Sequence, residues 1–114
     1  MQIEYATVYL EQLCTDPKRA QSELGQNCMK KLYTYLDSLR DAPGMEDVPP
    51  IGHLHALTGD RAGQMAFSLD KKMRLAFSVH LPKMGPVEAS MRGKLITIVR
   101  IEYIGNYQDR KSVV

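Results

Sequence analysis

The sequence is poor in cysteine and has no long apolar run. Its two cysteines, Cys14 and Cys28, lie fourteen residues apart. A zinc site needs closer pairs and more ligands, and structural disulfides do not persist in a reducing cytosol. The two therefore read as small buried hydrophobes. No apolar stretch approaches the ~18–20 residues of a membrane span. The opening Met1-Gln2-Ile3-Glu4-Tyr5 has neither the basic nor the apolar region of a signal peptide. The expectation is a cytoplasmic protein with no membrane contact. There is no glycine-rich phosphate loop of the Walker or dinucleotide-binding type, no HExxH, and no Cys/His zinc spacing. Neither a cofactor nor a metal is expected. There are no internal repeats and no low-complexity tracts.

What is present is an ordinary globular composition. The chain has 114 residues, 44% hydrophobic and 25% charged, which predicts one domain over residues 1–114. The net charge is only +2, but it is unevenly spread. Residues 1–52 carry five Lys and Arg against eight Asp and Glu, and residues 53–114 carry ten against five. An acidic first half and a basic second half point to an anionic contact in the second half, with nucleic-acid phosphate a leading candidate. An ordinary solvated face is the other reading.

The hydrophobic period changes midway. Ala6, Tyr9, Leu10 and Leu13 fall on one helical stripe. Asp16-Pro17 predicts a new helix start, with Asp16 as cap and Pro17 at the first helical position. Gly25 ends that short helix or marks a bend. Leu24, Cys28, Leu32, Tyr35, Leu36 and Leu39 then form the stripe of an amphipathic helix, which Pro43-Gly44 stops. Residues 45–52, with Pro49-Pro50, form a connector. From there the period is two. A strand is expected over 54–57, ended by the turn Thr58-Gly59-Asp60. A hairpin follows: Met65, Phe67 and Leu69 alternate with polar or small residues, as do Met73, Leu75, Phe77 and Val79 across the turn Asp70-Lys71-Lys72. Residues 81–93 read as a long loop, and 95–104 as a strand rich in Ile, Val and Thr, closed by Gly105-Asn106. Helices followed by an antiparallel meander predict an α+β domain, with the helices on one face of a small, mainly antiparallel sheet.

The candidate chemistry is basic and free of metal. His53 and His55 flank Leu54, so they share a face if the segment is a strand, but no third metal ligand is evident. Acid–base work, phosphate contact and a structural or surface role all remain open to these histidines and to His80. Arg61 follows a turn and Arg74 is in phase with the polar face of its strand. They form an anion site only if neighbouring strands bring them together, each guanidinium offering a planar fork of donors. Tyr107 stands where the last strand leaves the sheet, a place for stacking on a base or bonding a phosphate. This inventory suits RNA cleavage without metal. That reaction needs a deprotonated 2′-hydroxyl, a neutralised phosphorane and a protonated leaving oxygen.

Three segments carry a resemblance. The run Leu54-His55-Ala56-Leu57-Thr58-Gly59-Asp60-Arg61-Ala62-Gly63 resembles the "LHxLKGDRxG" segment of HigB-like toxins in the RelE superfamily. Met73-Arg74-Leu75-Ala76-Phe77 resembles that family's "WRI/LxF" strand, and Ile104-Gly105-Asn106-Tyr107-Gln108 occupies the place of its "xxDYH" motif. The likeness spans roughly residues 3–108, and the Gly59-Asp60-Arg61 segment is its most specific piece.

The resemblance implies a RelE-like domain and a toxin of a type II toxin–antitoxin pair that cleaves mRNA on the ribosome. It also implies a small helix-turn-helix antitoxin of HigA type as partner, with operator DNA reached only through that antitoxin. Residue by residue, His55, Arg74 and Tyr107 match catalytic positions, and Arg61 matches a phosphate contact. Lys71, Lys72 and Lys94 would add non-specific attraction to ribosomal RNA. The chain departs from the pattern at Thr58, where many members have lysine, and at Asn106 and Gln108, in place of aspartate and histidine. Glutamine does not titrate near neutral pH. The alternative reading is therefore a catalytically weakened relative that binds its antitoxin or RNA and acts as a co-repressor.

Overall fold

The computed structural model describes residues 1–81, 85–87 and 97–106. In chain order the elements are β1 (Gln2–Tyr5), α1 (Val8–Thr15), α2 (Pro17–Leu24), α3 (Gln26–Asp41), β2 (His55–Ala56), β3 (Met65–Ser68), β4 (Arg74–Leu81), β5 (Gly85–Val87) and β6 (Ile98–Gly105). Short 3₁₀ turns occupy Met45–Asp47 and Gly59–Arg61. Among the described residues, no helix is long and apolar enough to cross a membrane.

The helix boundaries follow local chemistry. The Thr7 hydroxyl accepts from the Leu10 amide and caps α1. Asp16 accepts from the amides of Lys18 and Arg19, and Pro17 opens α2 where no intrahelical donor is needed. Gly25, at φ 87°, turns the chain into α3. The stripe on α3 is buried as its spacing predicts: Cys28, Leu32, Tyr35, Leu36 and Leu39 all lie in the core.

The sheet order is β1-β6-β4-β3-β2, with β5 pairing on β4. The expected hairpin is present, with Met65 opposite Phe77 and Ser68 opposite Arg74. On the helix-covered face, Phe67, Leu75, Phe77, Val79, Val99 and Ile101 are fully buried. Tyr35 of α3 stacks on Phe67 at 4.7 Å, and Phe67 lies 5.6 Å from Phe77. Each such large side chain contributes about 1.5–3 kcal/mol of burial free energy. The α+β architecture, with helices on one face of a mainly antiparallel sheet, is as the sequence predicts.

Several features depart from the sequence reading. Residues 2–5 form β1, which pairs parallel with β6, so the sheet is mixed. Four residues are too short a run for the alternation to stand out, and their pairing partner lies about a hundred residues away. Part of the expected 81–93 loop is the strand β5, with Pro86 opposite His80. It is an edge strand, where proline is tolerated. The expected 54–57 strand shrinks to His55–Ala56, because Gly52 and His53 both take left-handed conformations at φ 61° and 52°. Gly52 is obligatory on space alone, since a Cβ there would lie 2.6 Å from Cζ of Tyr35.

Candidate active site on the open sheet face

Pairing register decides which side chains share the face away from the helices. On β4 these are Arg74, Ala76, Ser78 and His80, alternating with the core residues. Directly opposite Ala76 stand Ala66 on β3 and Tyr103 on β6, and His55 on β2 is opposite Ala66. One row across the sheet therefore reads His55, Ala66, Ala76, Tyr103. The next row in one direction holds Ser68, Arg74 and Gly105, and in the other Ser78, Arg100 and Glu4. Between the Ala76–Tyr103 and Phe77–Ile101 pairs the register shifts. Glu102 is the extra residue of this bulge, a device that re-aims side chains.

The centre of the face is an arginine on an aromatic ring. The Arg61 guanidinium carbon lies 4.6 Å from the centroid of Tyr103, within cation–π range. Its Nη1 donates to Oε1 of Gln64 at 3.3 Å. Tyr103 packs back over Gly105, where any Cβ would meet the phenol oxygen at 2.7 Å. His55 sits at the β2 end of the row, its ring centroid 4.9 Å from that of His53. Its Nδ1 lies 2.6 Å from the carbonyl oxygen of His53. That carbonyl can only accept, so Nδ1 carries a proton, and in the neutral ring the lone pair is on Nε2.

Arg74 takes a different position from the one its phase suggests. Only 9% of it is exposed. Its Nη1 donates to the carbonyls of Asp70 and Met73, at 2.9 and 3.1 Å, and its Nη2 to that of Lys71 at 3.4 Å. The guanidinium thus braces the β3–β4 turn that carries Lys71 and Lys72. The Asp70 carboxylate braces the same turn from within, accepting from the amides of Met73 and Lys72 at 2.6 and 2.7 Å. These amides hold its carboxyl below the ordinary range. The Cys28 thiol donates to Asp70 at 3.2 Å, tying the turn to α3. Burial pushes that thiol up to about 11, so it remains a donor at neutral pH. Asp70, Lys71, Lys72, Met73 and Asn106 line a shallow groove of about 430 Å³.

A second polar cluster was not singled out by sequence. Ser78, His80, Arg100 and Glu102 line an open groove of about 520 Å³, together with residues 62–64 and Pro86. The Ser78 oxygen is 2.9 Å from Nε2 of His80 and 2.5 Å from Oε2 of Glu102. Nε of Arg100 is 4.0 Å from the same carboxylate oxygen. The one signal in the sequence was that Ser78 and His80 share the polar phase of β4. Their meeting with Arg100 and Glu102 needs the β4–β6 pairing and its bulge.

Of the residues expected from sequence, His55 and Arg61 lie on or beside the central row. Arg74, Lys71 and Lys72 gather at the hairpin end, two residues along. Arg61 and Arg74 do not meet at one point: one lies on Tyr103, and the other is turned into the hairpin carbonyls. Tyr107 and Lys94 lie outside the described residues. No cluster of three His, Cys, Asp or Glu suited to a metal occurs among the described residues.

The fold has counterparts among proteins of known structure. Two solved structures share it across nearly the whole chain. The YoeB/ParE toxin from Agrobacterium tumefaciens superposes with a TM-score of 0.58 at 11% identity, covering 93% of this chain and 98% of that one. A histidine-to-glutamine mutant of YafQ from E. coli superposes with a TM-score of 0.51 at 21% identity, covering 96% of each chain. At these identities the likeness is one of fold. No protein-family model and no curated protein matches the sequence.

Proposed function

We propose that the chain is the toxin of a type II toxin–antitoxin pair, an endoribonuclease that cleaves mRNA on the ribosome without a metal and so inhibits translation. The observation that carries this reading is the open sheet face. On a fold shared with a protein described as a toxin, it carries Arg61, Arg100, His55 and His80, the residue types that phosphodiester cleavage without metal requires. In this reading Arg61 meets the scissile phosphate, and Arg74 holds the hairpin whose lysines, Lys71 and Lys72, attract RNA. His55 offers a ring nitrogen for proton transfer at the β2 end, Tyr107 orients a base or the 2′-hydroxyl, and Lys94 adds attraction to ribosomal RNA. The partner is a small helix-turn-helix antitoxin of HigA type encoded beside it, through which alone the pair touches operator DNA. Both act in the cytoplasm.

A weakened relative that binds its antitoxin or RNA without cleaving is favoured by two facts. The Arg74 guanidinium is committed to carbonyls, and Thr58, Asn106 and Gln108 replace a cation and two titratable groups of the HigB-like pattern. One experiment separates the readings: tightly controlled expression of the chain alone, with growth recorded and mRNA 5′ ends mapped. Rapid arrest with new cuts inside translated frames supports the nuclease. Normal growth with folded protein supports the binder.

A further inference from the structure

We propose that His80, in place of His55, is the proton-transfer residue of this face, with Ser78 and Glu102 as its positioning residues and Arg100, beside Arg61, as an anchor for the reacting phosphate. The substrate class is a single-stranded RNA phosphodiester, so the proposal rests on the nuclease reading and names its chemistry.

Hydrogen-bond direction carries the argument. An ionised carboxylate only accepts, so the Ser78 hydroxyl donates to Glu102 across 2.5 Å. The serine oxygen then accepts, and its other neighbour is Nε2 of His80 at 2.9 Å. The proton of the neutral ring must sit on Nε2, which leaves the lone pair on Nδ1. Ser78 is only 7% exposed, so the relay is held by packing. Glu102 reaches it because it is the extra residue of the β6 bulge, and bulges recur beside active sites. Through Ser78, the carboxylate supplies the charge that an imidazolium formed during reaction would face, as the buried acid does in a catalytic triad. Arg100 adds the anion-binding group. Its Nε makes no hydrogen bond among the described residues and lies 4.0 Å from Oε2 of Glu102, and its side chain, 43% exposed, lines the groove.

The step balances without a co-reactant. Nδ1 of His80 takes the proton of the 2′-hydroxyl, and the 2′-oxygen bonds to phosphorus. The bond from phosphorus to the 5′-oxygen breaks, and that oxygen takes a proton from water at the open side of the groove. The imidazolium returns its proton to the hydroxide, leaving a 2′,3′-cyclic phosphate and a 5′-hydroxyl. His55 is poorly placed to share this phosphate. It lies two strands away and four residues along from His80 by register, a backbone separation on the order of 15 Å.

The test is cleavage of mRNA by translating ribosomes with purified variants, alongside imidazole nitrogen NMR of the folded chain. His80→Gln should lose ~10²–10⁴ in rate. Glu102→Gln and Ser78→Ala should lose less but displace the pH–rate profile, which a purely structural role would not do. In the wild type, NMR should find the Nε2–H tautomer at His80, with a change of tautomer balance in Glu102→Gln. If His80→Gln cleaves at the wild-type rate while His55→Ala does not, the assignment to His80 fails and the nuclease reading stands. If the wild type leaves mRNA intact, the nuclease reading fails and the catalytic role with it. Nitrogen signals of His80 that are the same in Glu102→Gln as in the wild type overturn the relay itself.

Discussion

Arg74 donates three hydrogen bonds to carbonyls of the turn before it, so a cation in phase with the polar face does structural work. Replacing it with alanine removes all three of these charge-assisted bonds, a loss of about 1–3 kcal/mol. Urea unfolding should report that loss, and any fall in toxicity of Arg74→Ala will include it. Arg61 contrasts with Arg74, because its contacts are Tyr103 and Gln64 rather than the backbone. Arg61→Ala should keep the unfolding midpoint nearly unchanged while weakening RNA binding. Gly52 resists replacement on two counts. Gly52→Ala combines a left-handed φ with a Cβ driven into the Tyr35 ring, and should cost about 1–3 kcal/mol by the same measurement.

The β3–β4 hairpin is an element whose stability should depend on acid. Its turn is organised by the Asp70 carboxylate, held below the ordinary range chiefly by the amides of Met73 and Lys72. A carboxyl with a lowered folded-state value stabilises the fold above its unfolded value, near 3.9 for aspartate. That stabilisation is lost as the pH falls through the folded value. Stability of the wild type should therefore drop on acidification below about pH 4, and Asp70→Asn should flatten part of that slope. Equilibrium unfolding across acidic pH values checks the prediction. The same turn projects Lys71 and Lys72 outward. If they contact RNA phosphates, removing both should reduce the slope of log affinity against log salt by about 1 per lysine.

Across the whole molecule, one core joins the helices to the sheet, and both cysteines belong to it. Cys14 is 3% exposed and Cys28 5%, and burial pushes their thiols up to about 12 and about 11. At neutral pH neither is a thiolate in the native state. A thiol reagent should label neither in buffer and both in denaturant, with labelling following global unfolding. Labelling of Cys28 alone in buffer would mean that the α3–hairpin junction opens independently. At this scale the basic second half also acquires a location. Arg61, Arg74 and Arg100 all lie on or beside the open face, whereas the helices of the acidic first half cover the other.

The sequence by itself determined the elements whose information is local. The α3 stripe, the Asp16-Pro17 helix start and the alternation of β3 and β4 each follow from a period or a cap spelled within a dozen residues. It also marked His55, Arg61 and Arg74 as residues to watch. Only the tertiary structure decided what these residues touch. The parallel β1–β6 pair joins the two ends of the chain, and no local period encodes a partner so distant. The turning of Arg74 onto the hairpin carbonyls follows from the shape of a turn whose type was not readable. The Ser78–His80–Glu102 relay exists because one extra residue in β6 shifts the register beside β4 and swings a carboxylate onto the open face.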